Sequence, residues 1–346
     1  MRISTVLFFG SFSLGCSTVL AAPSARTVLV KATPLPPEKL RGQIAYVQDS
    51  DLWVVNPKTR KSTLLFQQLF NEKGALQRDE QVTWTPDLRF LIFTYNRGPW
   101  ETYTGNELMI MRWDGQQKRQ LTDTGLLLCS EAPQVSPDGT RILYSRTTGY
   151  RSGGPGYTGR EIRVMNFDGS NDHRVVGNIE DLDSAATNPY WNRDGQKIVF
   201  SRYDGDLDYT VPKLYTSTLD GENQQVFSGS WSQFVVPWVS SNGLYEVQQP
   251  IRSHLSSVLK FHSKQPKNYV SFDMSSFTDF TSVVSPTSAQ VAFSASRMVA
   301  RKTKGNSFVF RTLYEMWSWS PLVSPQTLQL MVDNKTNHRV RILRWL

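Results

Sequence analysis

One turn-and-strand unit returns three times in this chain, in the same order and at nearly constant spacing. Trp84-Thr85-Pro86-Asp87 leads into Phe90-Leu91-Ile92-Phe93, and Met111-Arg112-Trp113-Asp114-Gly115 follows. Val135-Ser136-Pro137-Asp138-Gly139 leads into Ile142-Leu143-Tyr144-Ser145, and Met165-Asn166-Phe167-Asp168-Gly169 follows. Trp191-Asn192-Arg193-Asp194-Gly195 leads into Ile198-Val199-Phe200-Ser201, and Thr218-Leu219-Asp220-Gly221 follows. A unit of roughly 50 residues with two turn signals and short apolar strands reads as one four-stranded antiparallel blade. A blade cannot bury both of its faces alone, so the chain must close into a ring. The expected fold is all-β, a β-propeller of six blades, with seven as the competing count.

The recurring carboxylates have a structural reading first. In the Pro-Asp-Gly turns, Pro presets the backbone angle, Asp bonds back to nearby amides, and Gly accepts a positive φ. Asp87, Asp138 with Gly139, and Asp194 with Gly195 join first to second strands. Asp114 with Gly115, Asp168 with Gly169, and Asp220 with Gly221 join third to fourth strands. Repetition in register with a turn argues against catalytic acids.

These units resemble the TolB-like family of propeller repeats. The Ser-Pro-Asp-Gly turn, the Ile-apolar-aromatic-Ser strand, the Met-Asn-x-Asp-Gly turn and Arg119-Gln120-Leu121-Thr122 carry the resemblance. It implies a propeller acting by protein–protein contact in the periplasm. The family's namesake has an α/β domain ahead of its propeller, which residues 23–41 are too short to hold. The resemblance therefore implies the repeat architecture and not the namesake's own role.

The N-terminus adds an expectation of export. Arg2, an apolar stretch over 3–14, and Val19-Leu20-Ala21 read as a signal peptide over 1–21. Residues 22–41, with Pro23, Pro34, Pro36 and Pro37, read as a Pro-rich linker, and 42–346 as a single propeller domain. Leu14-Gly15-Cys16-Ser17 partly resembles a lipoprotein cleavage site, so lipid anchoring through Cys16 is an alternative. Cleavage after Ala21 would leave Cys129 as the one thiol. No segment of the processed chain approaches the apolar length of a transmembrane helix.

The formal net charge is +8, and +7 of it falls in the last 50 residues, with nine Lys or Arg against two acids. That asymmetry fits solubility, or contact with an anionic surface or polysaccharide. Export disfavours nucleic acid.

Outside the three strong copies the blades are weaker. Residues 42–46, 52–55 and 62–66 read as the second to fourth strands of a first blade. Its innermost strand would come from the other terminus at ring closure. Residues 234–247 open a fifth blade, and a sixth begins near Phe280. There, 328–336 reads as third strand and turn, 339–343 as fourth strand, and 300–325 as an insertion. A seventh blade built on 308–316 is the competing count.

Turns alternate between the two sides of an antiparallel blade. The short turns therefore share one face of the disc, and the long connections share the other. Those connections are 95–106, 147–160, 203–213 and 297–307. They hold Tyr95, Arg97, Trp100 and Tyr103, then Tyr150, Arg151 and Tyr157, then Tyr203, Asp204, Asp206 and Asp208. Loops on a rigid scaffold carry binding, and Tyr, Trp and Arg dominate binding hot spots. Alternate carboxylates at 204, 206 and 208 also suit calcium, but Tyr209 stands where the calcium-loop motif needs Gly. No other cofactor and no further metal site is expected. The four histidines, His173, His254, His262 and His338, lack metal-ligand spacing, and no Gly-x-Ser-x-Gly elbow occurs. The reading is an exported, non-catalytic propeller that binds a macromolecule, a protein of the cell envelope, through its long-loop face. A carbohydrate-binding or carbohydrate-active propeller and a lipid-anchored scaffold are the alternatives.

Overall fold

Each repeat folds as four antiparallel strands because its apolar runs are short and each is closed by a turn that reverses the chain. A computed structural model describes residues 34–48, 51–67, 69, 81–96, 105–125, 128–148, 159–178, 185–192, 194–202 and 213–228. Beyond them it describes the strands of the last third. The expected signal peptide, with Cys16, and most of the linker lie outside the described residues. The linker's end is described: Pro37–Leu40 forms a single helical turn that buries Leu40.

Blade one takes β1 (Ile44–Gln48), β2 (Asp51–Val55) and β3 (Ser62–Phe66). Blade two takes β4 (Val82–Trp84), β5 (Phe90–Asn96), β6 (Asn106–Arg112) and β7 (Arg119–Gln120). Blade three takes β8 (Leu128–Val135), β9 (Arg141–Thr148), β10 (Arg160–Asn166) and β11 (His173–Asn178). Blade four takes β12 (Ala186–Trp191), β13 (Lys197–Arg202), β14 (Lys213–Thr218) and β15 (Gln225–Ser228). Blade five takes β16 (Trp238–Val239), β17 (Gly243–Gln248), β18 (Val258–Ser263) and β19 (Tyr269–Asp273). Blade six takes β20 (Thr278–Val284), β21 (Val291–Lys302), β22 (Phe308–Trp319) and β23 (Leu328–Asn334).

The last strand, β24 (Val340–Trp345), leaves blade six and pairs with β1, from Ile44↔Trp345 to Gln48↔Val340. Blade one is thus completed from both ends of the chain, and the described residues form six four-stranded sheets. Three sequence expectations need correction here. Residues 328–334 are the fourth strand of blade six, not the third, because β22 takes them as its outer neighbour. Residues 340–345 are not the fourth strand of blade six but the inner strand of blade one. Most of 300–325 is not an insertion, nor a seventh blade: β22 is the third strand of blade six.

The core is laid down as layers between neighbouring blades. Ala45, Val54, Leu65 and Phe66 of blade one pack with Trp84, Leu91, Phe93 and Met111 of blade two. Ile92, Leu108 and Ile110 then meet Ile142, Tyr144 and Met165 of blade three, and Leu143, Ile162 and Val164 meet Ile198 and Phe200 of blade four. The period-2 alternation of a strand sends successive residues, such as Ile92 and Phe93, to opposite layers. Each large side chain buried in such a layer contributes about 1.5–3 kcal/mol, and blades two and three each rely on both neighbours.

Candidate partner-binding face

On the short-turn face each carboxylate is turned onto its own backbone. Asp87 accepts from the Arg89 amide at 3.0 Å and the Thr85 hydroxyl at 2.5 Å. Asp138 repeats this with the Thr140 amide at 3.0 Å and the Ser136 hydroxyl at 2.5 Å. These donors, Ser136 foremost, hold the Asp138 carboxyl at about 2. Asp194 accepts from the Gln196 amide at 2.7 Å. Asp114, Asp168 and Asp220 accept from the amides of Gln116, Ser170 and Glu222 at 3.0, 2.9 and 2.9 Å.

The same turns lock blade to blade. A Cβ on Gly139 would lie 3.5 Å from Pro86, and one on Gly195 would lie 3.3 Å from Pro137, so each turn seats on the preceding blade's proline. Arg141 donates to the Gly195 carbonyl at 2.9 Å and lies 5.0 Å over the Trp191 ring. Trp191 in turn donates to the Gln134 carbonyl at 3.0 Å. Arg119 reaches the Asp168 carbonyl at 3.2 Å. Across blades two to four this face is a row of clamps.

On the opposite face, the structure places one predicted site residue in a strand. Tyr95 lies in β5, half-buried beside the blade one–two layer, with the Lys118 ammonium 5.1 Å from its ring centre. Arg97, Trp100, Tyr103, Tyr150, Arg151, Tyr157, Tyr203, Asp204, Asp206 and Asp208 lie outside the described residues, and the expected calcium loop with them. Among the described residues, no group of three or more His, Cys, Asp or Glu is gathered in a way that could hold a metal ion. The connection expected at 297–307 is different from a loop, because its first six residues extend β21.

The structure adds residues that the sequence reading passed over. Glu107, the second residue of β6, is fully buried. It accepts from the Thr124 amide and hydroxyl at 2.8 Å each, and closely from the Thr122 hydroxyl. Glu161 holds the matching place in β10, 4% exposed, and binds Arg163 at 2.8 Å. Glu107 ties the start of its third strand to the segment that follows β7, while Glu161 pairs within its own strand. Between blades two and three, Asn106 donates to Glu131 at 3.3 Å, and Gln81 accepts from the Ala132 amide. Ala132 and Asn188 sit in bulges of the inner strands with φ of 51° each, ahead of the buried Pro133 and Pro189. A non-glycine residue at positive φ is a place where strain is held by its surroundings.

A charged network crosses blade three on its side toward blade two. Asp172 receives Arg163 at 3.0 Å and Arg146 at 3.1 Å, and the Tyr144 hydroxyl donates to it at 3.0 Å. Arg146 donates to that hydroxyl at 2.7 Å. Burial, and secondarily the Asp172 charge, push the Tyr144 hydroxyl far above its ordinary range. The two guanidinium side chains are only 14% and 16% exposed. Removing their shared carboxylate leaves two half-desolvated charges, so Asp172→Ala is expected to cost about 2 kcal/mol, below the range for fully buried pairs. Urea unfolding checks this, with Asp172→Asn expected to fall between.

No protein-family model matches the chain, and no curated protein sequence does. Solved structures match in shape. TolB from Acinetobacter baumannii gives a TM-score of 0.55 at 16% identity, covering 88% of this chain and 67% of that one. The protein assigned as TolB in Agrobacterium tumefaciens gives 0.51 at 15% identity, covering 71% of this chain and 81% of that one. Oligogalacturonate lyase from Vibrio parahaemolyticus gives 0.51 at 8% identity, covering 88% and 78%. Likeness at these identities is likeness of fold, so the chain has a β-propeller fold, and its neighbours in shape include both TolB and an enzyme.

Proposed function

We propose that this protein is an exported, non-catalytic propeller that binds a protein of the cell envelope through its long-loop face. The observation that carries the reading is the division of chemistry between the faces. The short-turn carboxylates spend their hydrogen-bonding capacity on backbone amides and the turns on inter-blade contacts. The Tyr, Trp and Arg suited to recognition stand instead in the connections on the other side. The likeness in shape to TolB supports the same reading. It is tested by capture from an envelope extract with wild-type protein, a Trp100→Ala/Tyr103→Ala/Tyr157→Ala/Tyr203→Ala variant, and a short-turn control, Glu222→Ala. A partner retained by wild type and control, and lost by the loop variant at unchanged thermal stability, is the expected result. An intact fold that retains nothing would overturn it.

The likeness in shape to oligogalacturonate lyase favours a second reading, a propeller that binds or acts on acidic carbohydrate. Binding to an array of acidic glycans, lost on Tyr203→Ala and Asp206→Ala, would replace the first reading with this one.

A further inference from the structure

The longest strands in the described part of the molecule form a ribbon that outruns its own blade. β21 and β22 have 12 residues each and pair without interruption from Val291↔Trp319 to Lys302↔Phe308. Their neighbours stop halfway: β20 reaches Ser296 and β23 reaches Tyr314. Residues 297–302 and 308–313 therefore pair, among the described residues, only with each other. At about 3.3 Å per residue, this two-stranded arm runs roughly 20 Å past the sheet. It joins a second to a third strand, which puts it on the long-loop side.

A two-stranded ribbon is marginal in water by itself, and this one has a biased composition. Its 12 residues include Arg297, Arg301, Lys302 and Arg311 and no Asp or Glu. Residues directly opposite in an antiparallel pair share a face. The register therefore places Arg297/Leu313, Val299/Arg311 and Arg301/Val309 on one face. It places Met298/Thr312, Ala300/Phe310 and Lys302/Phe308 on the other. One face carries three arginines in a zigzag among aliphatic residues. The other carries Met298, Ala300, Phe308 and Phe310, with a single cation at its far end.

We propose that this arm is a membrane-surface element that lies on anionic phospholipid. A basic face and an aromatic apolar face on opposite sides are what an interfacial element needs: the apolar side enters the headgroup–acyl boundary and the arginines stay level with the phosphates. An acidic peptide added along a ribbon edge would answer the arginines and leave the Met/Phe face unexplained. The surface of an anionic bilayer answers both with one partner. The inference does not rest on the protein-partner reading, which concerns the connections of blades two to four.

The test is co-sedimentation of the full chain with vesicles of phosphatidylcholine alone or mixed with phosphatidylglycerol. Binding is expected only to the mixed vesicles and weaker as salt is raised. Arg297→Gln/Arg301→Gln/Arg311→Gln is expected to lower the apparent partition coefficient by roughly a hundredfold. A second variant replaces 297–313 with Asn-Gly, joining Ser296 to Tyr314. Those residues stand directly opposite each other, so a two-residue hairpin turn fits and the pairing with β20 and β23 is kept. Its thermal unfolding is expected to match wild type while vesicle binding disappears. Three results would each overturn the inference: no binding to anionic vesicles, equal binding to neutral ones, or undiminished binding without the arm. Capture of an acidic protein through the arm by a chain that ignores vesicles would do the same and reassign the arm to protein contact.

Discussion

Deleting residues 340–346 is expected to abolish cooperative unfolding of the whole ring rather than trim a terminus. β24 is the inner strand of blade one, and its five pairs with β1 are the link by which the end of the chain returns to its beginning. Without it, β1 becomes an open inner edge. Ile44 and Ala45 are fully buried and Tyr46 and Val47 only 2% exposed, so much of that burial is at stake. At about 1.5–3 kcal/mol per large apolar side chain, the loss is about 5 kcal/mol. That is a large share of the 5–15 kcal/mol typical of folded proteins. The damage does not stay local, because blade two buries Trp84 and Phe93 against blade one and each later layer needs the one before it. Circular dichroism on heating is expected to show a broad, low transition in place of a sharp one, and limited proteolysis to cut near both ends. A synthetic peptide of residues 338–346 added in trans is expected to restore part of the sharpness. An unchanged midpoint in the truncated chain would mean that the ring is held by its blade layers without closure.

This closure was legible in the sequence because blade one lacks a first strand of its own, and a ring leaves one place from which to draw it. The three strong blades were legible for a simpler reason: Asp-Gly turns are local, and local chemistry writes itself into local sequence. Strand rank is not local. Leu328-Gln329-Leu330-Met331 followed by Asp333-Asn334-Lys335-Thr336 reads equally as a third strand before a turn or a fourth strand after one. The pairing decides it, because β22 claims 328–334 and β1 claims 340–345. The same limit hid the arm. The alternation of turns made 297–307 a connection, and the amphipathic sense of Arg297, Val299 and Arg301 appears only once β22 sets the register. The candidate site rests on exclusion more than on content. Turn chemistry told which face was occupied by the fold, while ten of the eleven named partner residues lie outside the described residues. Glu107 and Glu161 were missed because one acid at the head of a strand looks like a solvated position. The signal was present, since both stand at the same place before a Met-containing turn in successive repeats.

Gly221→Ala is expected to cost more than Gly139→Ala, although both glycines occupy Asp-Gly turns with nearly equal φ of +81° and +77°. The backbone part is shared: a side chain in the left-handed region costs about 1–2 kcal/mol. The surroundings are not shared. A Cβ on Gly139 would meet Pro86 at 3.5 Å, an ordinary contact with a ring at the surface. A Cβ on Gly221 would lie 2.1 Å from the carbonyl oxygen of Val175, in the fourth strand of the preceding blade. That oxygen is backbone and has no rotamer to escape into, so blade four must shift away from blade three or the turn must rebuild. Overpacking of this kind adds about 1–3 kcal/mol, which places Gly221→Ala near 3 kcal/mol and Gly139→Ala near 1 kcal/mol. Denaturant midpoints measured for both variants against wild type separate the two contributions. Equal losses would show that the dihedral alone sets the cost and that the blade-to-blade contact at Val175 gives way freely. A larger loss at Gly221 would show that the turn binds the blades together as well as reversing the chain. The short-turn face would then be constrained by ring assembly, leaving the opposite face as the one where side chains can change without loosening the disc.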